Sequence, residues 1–221
     1  MPKFLCSAIL FDLDGVLVRS KPVVDRQWRI WAAEQGLDPE QVLQIAHGRR
    51  TIETLQHVAP HLDAEAETLK MEQREVADTD GLSLIPGAAE LLAQIPPECW
   101  AVATSGTREL ATMRLRHVGL PLPRVMIAAD DVVEGKPAPE PYLKAAAALS
   151  VSARDCVVIE DAPAGVRSGH AAQARVIAVL GTFPPEELAS ADAVIPRLSD
   201  LQLSLVNAPG GVQLELILPG A

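Results

Sequence analysis

Ala8-Ile9-Leu10-Phe11-Asp12-Leu13-Asp14-Gly15-Val16-Leu17-Val18 is the stretch on which the fold turns. It is apolar from end to end apart from two aspartates, two residues apart. A continuous apolar run of this length reads as a strand buried on both faces. An unpaired buried carboxylate is costly enough to change its pKa rather than stay charged. Either the run is exposed, or something cationic meets the pair.

Similar runs recur along the chain: Trp100 to Thr104, Val125 to Ala128, Cys156 to Glu160, Val176 to Leu180 and Ala193 to Ile195. Nearly all are continuous rather than alternating. Helical patterns lie between most of them, at Ala88 to Gln94, Thr107 to Val118, Pro141 to Leu149 and Pro163 to Ala172. Pro141 and Pro163 stand where a first helical turn tolerates proline. Strand alternating with helix predicts an α/β fold with a doubly wound, Rossmann-like parallel sheet. Gly165 and Gly169, one turn apart, would let their helix approach that sheet closely.

One block breaks the alternation. Residues 19–82 show only helical periodicity, with Val24, Trp28 and Trp31 on one face and Ile52, Leu55 and Val58 about one turn apart. The block is too long for an ordinary crossover. It predicts an all-helical domain inserted after the first strand, hinged near Val18 to Pro22 and Gly81 to Pro86. The α/β core domain then comprises 1–18 and 83–221. Within it, 201–221 reads as two alternating runs flanking Asn207-Ala208-Pro209-Gly210-Gly211, either a hairpin added at a sheet edge or a loose C-terminal tail.

The 221 residues, 48% of them hydrophobic, suffice for a real core. A formal net charge of -10 disfavours a nucleic-acid backbone binder, which would need a basic stripe. It leaves room for a small anionic substrate in a locally positive pocket. Cys6, Cys99 and Cys156 are odd in number, widely spaced and without a CxxC, which predicts inert thiols in a reducing compartment. No run approaches the roughly 18 apolar residues of a membrane span. The expectation is a cytoplasmic, monomeric protein with no nucleic-acid or membrane partner.

Ligands of doubly wound sheets bind beyond the carboxyl ends of the strands. Those ends carry Asp12 and Asp14, then Thr104-Ser105-Gly106, then Gly135-Lys136-Pro137, then Glu160-Asp161. Clustered carboxylates imply a hard divalent cation with oxygen ligands, Mg²⁺ above all. Backbone amides after Thr104 face a helix start, a ready anion site. A metal, an anion cradle and a lysine together describe a phosphoryl-transfer pocket.

DLDG at Asp12 to Gly15, TSG at Thr104 to Gly106, GKP at Gly135 to Pro137 and ED at Glu160-Asp161 resemble, in order and rough spacing, the four motifs of the haloacid dehalogenase superfamily. The helical block stands where one branch carries its cap. WAVATSGTR from Trp100, GKPAPEPYLK from Gly135, EDAPAG from Glu160 and HGRRT from His47 resemble more narrowly the glycerol-phosphate and 2-deoxyglucose-6-phosphate phosphatases. The resemblance implies a Mg²⁺-dependent phosphatase acting on a small phosphorylated metabolite, a sugar or polyol phosphate. It implies Asp12 as the nucleophile that becomes an aspartyl phosphate, and Asp14 as the acid and then the base. Mg²⁺ would be held by Asp12, the backbone carbonyl of Asp14 and Asp161, with Glu160 either a ligand or a support behind the ligands. Thr104, the Ser105 amide, Gly106 and Lys136 would hold the transferring phosphoryl group. His47 and Arg50, from the helical block, would reach the substrate.

Three other readings are weighed against this one. A sugar phosphomutase of the same superfamily carries a histidine ten residues beyond the second aspartate, where this chain has Val24. A dehalogenase lacks the second aspartate. A non-catalytic phosphate-binding relative would have lost a motif residue, and none is missing.

Overall fold

A computed structural model describes residues 3–208 and 211–218. The chain runs through β1 (Lys3–Cys6), β2 (Ala8–Phe11) and the short β3 (Val18–Arg19). Four helices follow: α1 (Lys21–Glu34), α2 (Pro39–Ala46), α3 (Thr51–Val58) and α4 (Ala64–Ala77). Next come β4 (Ser83–Leu84), α5 (Ala88–Leu92), β5 (Trp100–Ala103), α6 (Arg108–His117), β6 (Met126–Ile127) and α7 (Glu140–Ala148). The chain closes with β7 (Cys156–Glu160), α8 (Pro163–Ala171), β8 (Arg175–Val179), α9 (Pro185–Leu188), β9 (Ala193–Ile195), β10 (Gln202–Ala208) and β11 (Gly211–Ile217).

The main sheet has six strands in the order β6-β5-β2-β7-β8-β9, all parallel. The continuous apolar runs are its strands. β2 and β7 are buried at every position, and successive side chains feed opposite faces. Ile9 and Phe11 join one core cluster while Ala8 and Leu10 join the other. The strand order reverses between β2 and β7, with β5 on the other side of β2. That reversal is where doubly wound sheets open a ligand crevice. Register fixes what meets there: Phe11 pairs with both Val102 and Ile159. Asp12, Thr104 and Glu160-Asp161 therefore emerge side by side.

Glycine makes one of these approaches possible. A Cβ on Gly169 would stand 2.6 Å from Val176 Cγ2, so only glycine lets α8 lie this close to the sheet. Cys6 and Cys156 are buried, and burial pushes both thiols up to about 12, in keeping with inert cysteines.

The helices α1–α4 have their own apolar cluster, built on Trp28, Trp31, Leu43, Leu55 and Met71. Trp28 and Trp31 pack edge to face, with centroids 5.5 Å apart. Asp38 and Asp63 start α2 and α4 by accepting from backbone amides two or three residues on. The chain enters and leaves this block as an antiparallel ribbon in which Val18 pairs with Leu84 and Arg19 with Ser83. No apolar periodicity announces strands two residues long.

The C-terminal segment departs from expectation in its place. β10 and β11 do form a hairpin, but it does not extend the main sheet. β11 pairs antiparallel with β1 in a separate sheet of order β1-β11-β10. Leu214 and Leu216 turn inward and join the cluster beneath the main sheet. The main sheet's edges are β6 and β9, and the hairpin joins neither. Pro209 and Gly210, expected in the turn, lie outside the described residues.

Candidate active site

At the carboxyl ends of β2 and β7 four charged side chains meet out of solvent: Asp12, Lys136, Glu160 and Asp161 are all buried. Lys136 Nζ donates to Asp12 Oδ1 at 2.5 Å and to Glu160 Oε1 at 2.7 Å. Burial works against the lysine charge, but Asp12 and Glu160 outweigh it and lift its pKa above the usual lysine value. Glu160 has both oxygens occupied. Oε1 also accepts from the Tyr142 hydroxyl at 2.8 Å, and Oε2 accepts from the amides of Asp161 and Ala162. A Cβ on Gly165 would sit 1.6 Å from Glu160 Oε1, so this glycine makes room for the carboxylate.

Asp161 is placed differently. Its carboxylate hydrogen-bonds only Thr182 among the described residues. Burial first, then Glu160 and Asp12, push its pKa well above the carboxylate range. Burial likewise pushes Asp12 up to about 7, with Lys136 opposing and Glu160 and Asp14 adding. Asp12, Glu160 and Asp161 each present a carboxylate oxygen, all within 4.8 Å of one another. Three buried carboxylates against one lysine leave negative charge uncompensated. An all-oxygen donor set with that excess fits a hard divalent cation. Gly15 supports the arrangement from below, since a Cβ there would fall 1.8 Å from Asp161 Oδ2.

In front of this cluster lies a cavity of about 80 Å³, closed on the far side by the helical block. Of the residues expected in the site, Asp12, Asp14, Ser105, Gly106, His47 and Asp161 line it. Thr104, Lys136 and Glu160 sit behind that wall. Thr104 Oγ1 accepts from the Gly106 amide at 3.1 Å and so shapes the loop at the start of α6. His47 Nε2 stands 2.8 Å from Asp25 Oδ1, and its ring packs edge-on to Phe183. Burial and then Lys21 lower the His47 pKa, with Asp25 opposing.

Arg50 is engaged elsewhere. Its guanidinium donates to Val132 O at 3.1 Å and Val133 O at 2.8 Å, and its Nε to Glu53 at 2.8 Å. Arg50 is the residue that begins α3, and its extended backbone turns the side chain toward the loop that carries Lys136. Its neighbour Arg49 lines the cavity instead. Ser105 Oγ donates to Gly48 O at 3.2 Å, a second tie between block and core.

Two buried charged residues of the cavity wall escaped the motifs. Arg114 on α6 and Glu75 on α4 are both buried, and Arg114 Nη2 donates to Glu75 Oε2. Arg114 Nη1 also lies 2.8 Å from Asp14 Oδ1 as an ion pair without hydrogen-bond geometry. A signal was present in the sequence. Arg114 falls on the helical stripe of Leu110, Ala111 and Leu115, and Glu75 lies one turn after Met71. A charge on an apolar stripe marks a buried polar partner.

Buried carboxylates at the reversal of a six-stranded parallel sheet, closed over by an inserted helical block, define a class of hydrolase. Residues 6–173 match the haloacid dehalogenase-like hydrolase family, and the chain belongs to it. Among its relatives is hexitol phosphatase A of Escherichia coli, 42% identical over 93% of this chain and 97% of that protein. Glycerol-1-phosphate phosphohydrolase 2 of Saccharomyces cerevisiae is 36% identical over 91% of this chain and 86% of its own. The crystal structure of CbbY from Rhodobacter sphaeroides in complex with phosphate superposes with a TM-score of 0.78, at 27% identity, over 88% of this chain and 96% of that one.

Proposed function

We propose that the protein is a Mg²⁺-dependent phosphatase of small sugar or polyol phosphate monoesters, working through an aspartyl phosphate. The observation that carries this reading is the Asp12 carboxylate, held by Lys136 at 2.5 Å at the cavity wall with Asp14 on the same wall. With Oδ1 engaged by the lysine, Oδ2 is the oxygen for attack on phosphorus. The P–O bond to the alcohol breaks as the Asp12 O–P bond forms, and Asp14 gives its proton to the departing alkoxide. Asp14 then takes a proton from water, whose oxygen attacks phosphorus and releases Asp12 and inorganic phosphate. The loop at Ser105 and Gly106 offers amides to the phosphoryl oxygens.

Asp12 and Asp161 would hold the metal with the Asp14 carbonyl, while Glu160, its oxygens already engaged, would brace Asp161 and Lys136. Bound there, Mg²⁺ would offset the charge of the phosphoryl oxygens and of the crowded carboxylates. The helical block forms one wall of the cavity. A swing of the block on the β3–β4 ribbon would widen the site for substrate entry, and its return would exclude water. His47 and Arg49 are among the block's residues that would then face the substrate, while Arg50 would lock the closed form. Val24, where a mutase carries its histidine, lines the cavity as an apolar wall, which favours hydrolysis over isomerisation.

The test is phosphate release from a panel of sugar and polyol phosphates, with Mg²⁺ and with EDTA, beside Asp12→Asn. Release that needs Mg²⁺ and vanishes in the variant is expected. Full activity in a clean Asp12→Asn preparation would falsify the assignment.

A further inference from the structure

Arg114 and Glu75 belong to none of the motifs, yet both line the cavity. They are 2% and 5% exposed, respectively. Taking such charges out of water is costly, and good hydrogen bonding has to offset the cost. An arginine whose whole task was to tether α4 to α6 would spend its donors on protein acceptors. Arg114 does not. Nη2 serves Glu75, Nη1 faces Asp14, and Nε is buried with no hydrogen-bond partner. Asp14 Oδ1 has that ion pair and no hydrogen bond among the described residues. Glu75 Oε1 accepts no hydrogen bond among the described residues. A stretch of cavity wall thus holds a guanidinium between two carboxylates, with Glu75 Oε1 left to accept from whatever enters.

That pairing is wrong for phosphate, which the two carboxylates would repel. It is right for hydroxyl groups, which accept and donate at once. We propose that Arg114 and Glu75 are specificity-determining residues that read the hydroxyls of the substrate's alcohol portion, selecting polyol and sugar phosphates over alkyl phosphates without hydroxyls. This rests on the phosphatase reading of the site. A substrate lacking the hydroxyls would bury the same groups unpaired, which is how polar sites reject apolar analogues. Glu75 comes from the helical block and Arg114 from the α/β core, so the reader is complete only when the block is closed. Selection is then coupled to closure.

The experiment compares kcat/KM for glycerol 1-phosphate and sorbitol 6-phosphate with that for propyl phosphate, an alkyl ester without hydroxyls. p-Nitrophenyl phosphate serves as a general phosphatase reporter. The wild type is expected to favour the better polyol phosphate by about two orders of magnitude or more. Arg114→Lys keeps the charge and loses the fork, and Glu75→Gln keeps the shape. Each should cut that preference roughly 10- to 100-fold, the loss of one or two hydrogen bonds to a charged group. A merely structural role would lower activity on both esters together and leave their ratio intact. Propyl phosphate turned over as well as the polyol esters, or an unchanged ratio in a folded variant, overturns the proposal and leaves the phosphatase reading standing. Should Arg114→Lys fail to fold, the isosteric Glu75→Gln decides alone. No release from any ester, p-nitrophenyl phosphate included, ends both readings.

Discussion

Two buried charge clusters meet at one cavity, and they are built on opposite plans. At the sheet end, Asp12, Glu160 and Asp161 surround Lys136, so anions outnumber cations. These groups come from strand ends and loops of the sheet itself, and backbone amides and Tyr142 brace them. At the seam, Asp14 and Glu75 share Arg114, and one of the three partners arrives on a different body of helices. The first cluster is fixed and short of positive charge. The second is nearer balance in charge and depends on two layers coming together. Rigid placement suits bond making at phosphorus, whereas a seam suits sensing what has entered.

The largest effect that separates the two plans is the removal of each cation. Lys136→Met leaves three carboxylates facing one another, and turnover should drop by at least about 10²- to 10³-fold. Removing one partner of a buried ion pair costs about 3–5 kcal/mol, for Lys136→Met and for Arg114→Met alike. Mg²⁺ should return part of that loss in the Lys136 variant and none in the Arg114 variant. Urea unfolding of both proteins, with and without Mg²⁺, reads this directly, and an equal Mg²⁺ response would erase the distinction.

A smaller effect probes the bracing. Tyr142→Phe removes one of the hydrogen bonds to Glu160, which retains Lys136 and two backbone amides. A loss of about 1 kcal/mol is expected, with turnover lowered by less than about tenfold. A collapse of activity would mean that Glu160 is held far less redundantly than its contacts indicate.

The smallest effect lies beside the seam. Burial pushes Glu72 on α4 up to about 7, with Asp130, Glu75 and Glu109 adding. Its folded pKa is raised above the ordinary glutamate value, so the folded state holds a proton that the unfolded chain has lost across that window. The stability from this group is therefore lost as pH rises toward 7. Glu72→Gln should melt higher than wild type near pH 8 and match it at or below pH 4.5. Melting curves at the two pH values that run parallel would place Glu72 in ordinary solvent.

Much of the sheet was legible because its strands are buried on both faces. AILF and CVVIE cannot be exposed, and their ends announce Asp12 and Glu160-Asp161. β1 was not legible. Lys3–Cys6 alternates exposed and buried over four residues, and its partner lies at the far end of the chain. Local pattern cannot show a pairing whose hydrophobic contribution is made so far away in sequence. Of the two consecutive arginines, nothing local says which one points inward. The turn that begins α3 decides it, and sends Arg50 to the carbonyls of Val132 and Val133. Arg114 and Glu75 could have been suspected from their stripes, but only a shared cavity makes partners of them.

The pairing of Lys3 with Ile217 also sets a timetable. A ribosome adding about 5–20 residues per second extrudes β1 well before β11, so β1 waits on the order of ten seconds or more for its partner. The parallel sheet and the helical block have all their strands and helices within that interval. Pairing β1 with β11 then falls on a core already able to assemble. Until that moment the strand is a sticky edge, and slow translation of the message ahead of β11 would lengthen its exposure.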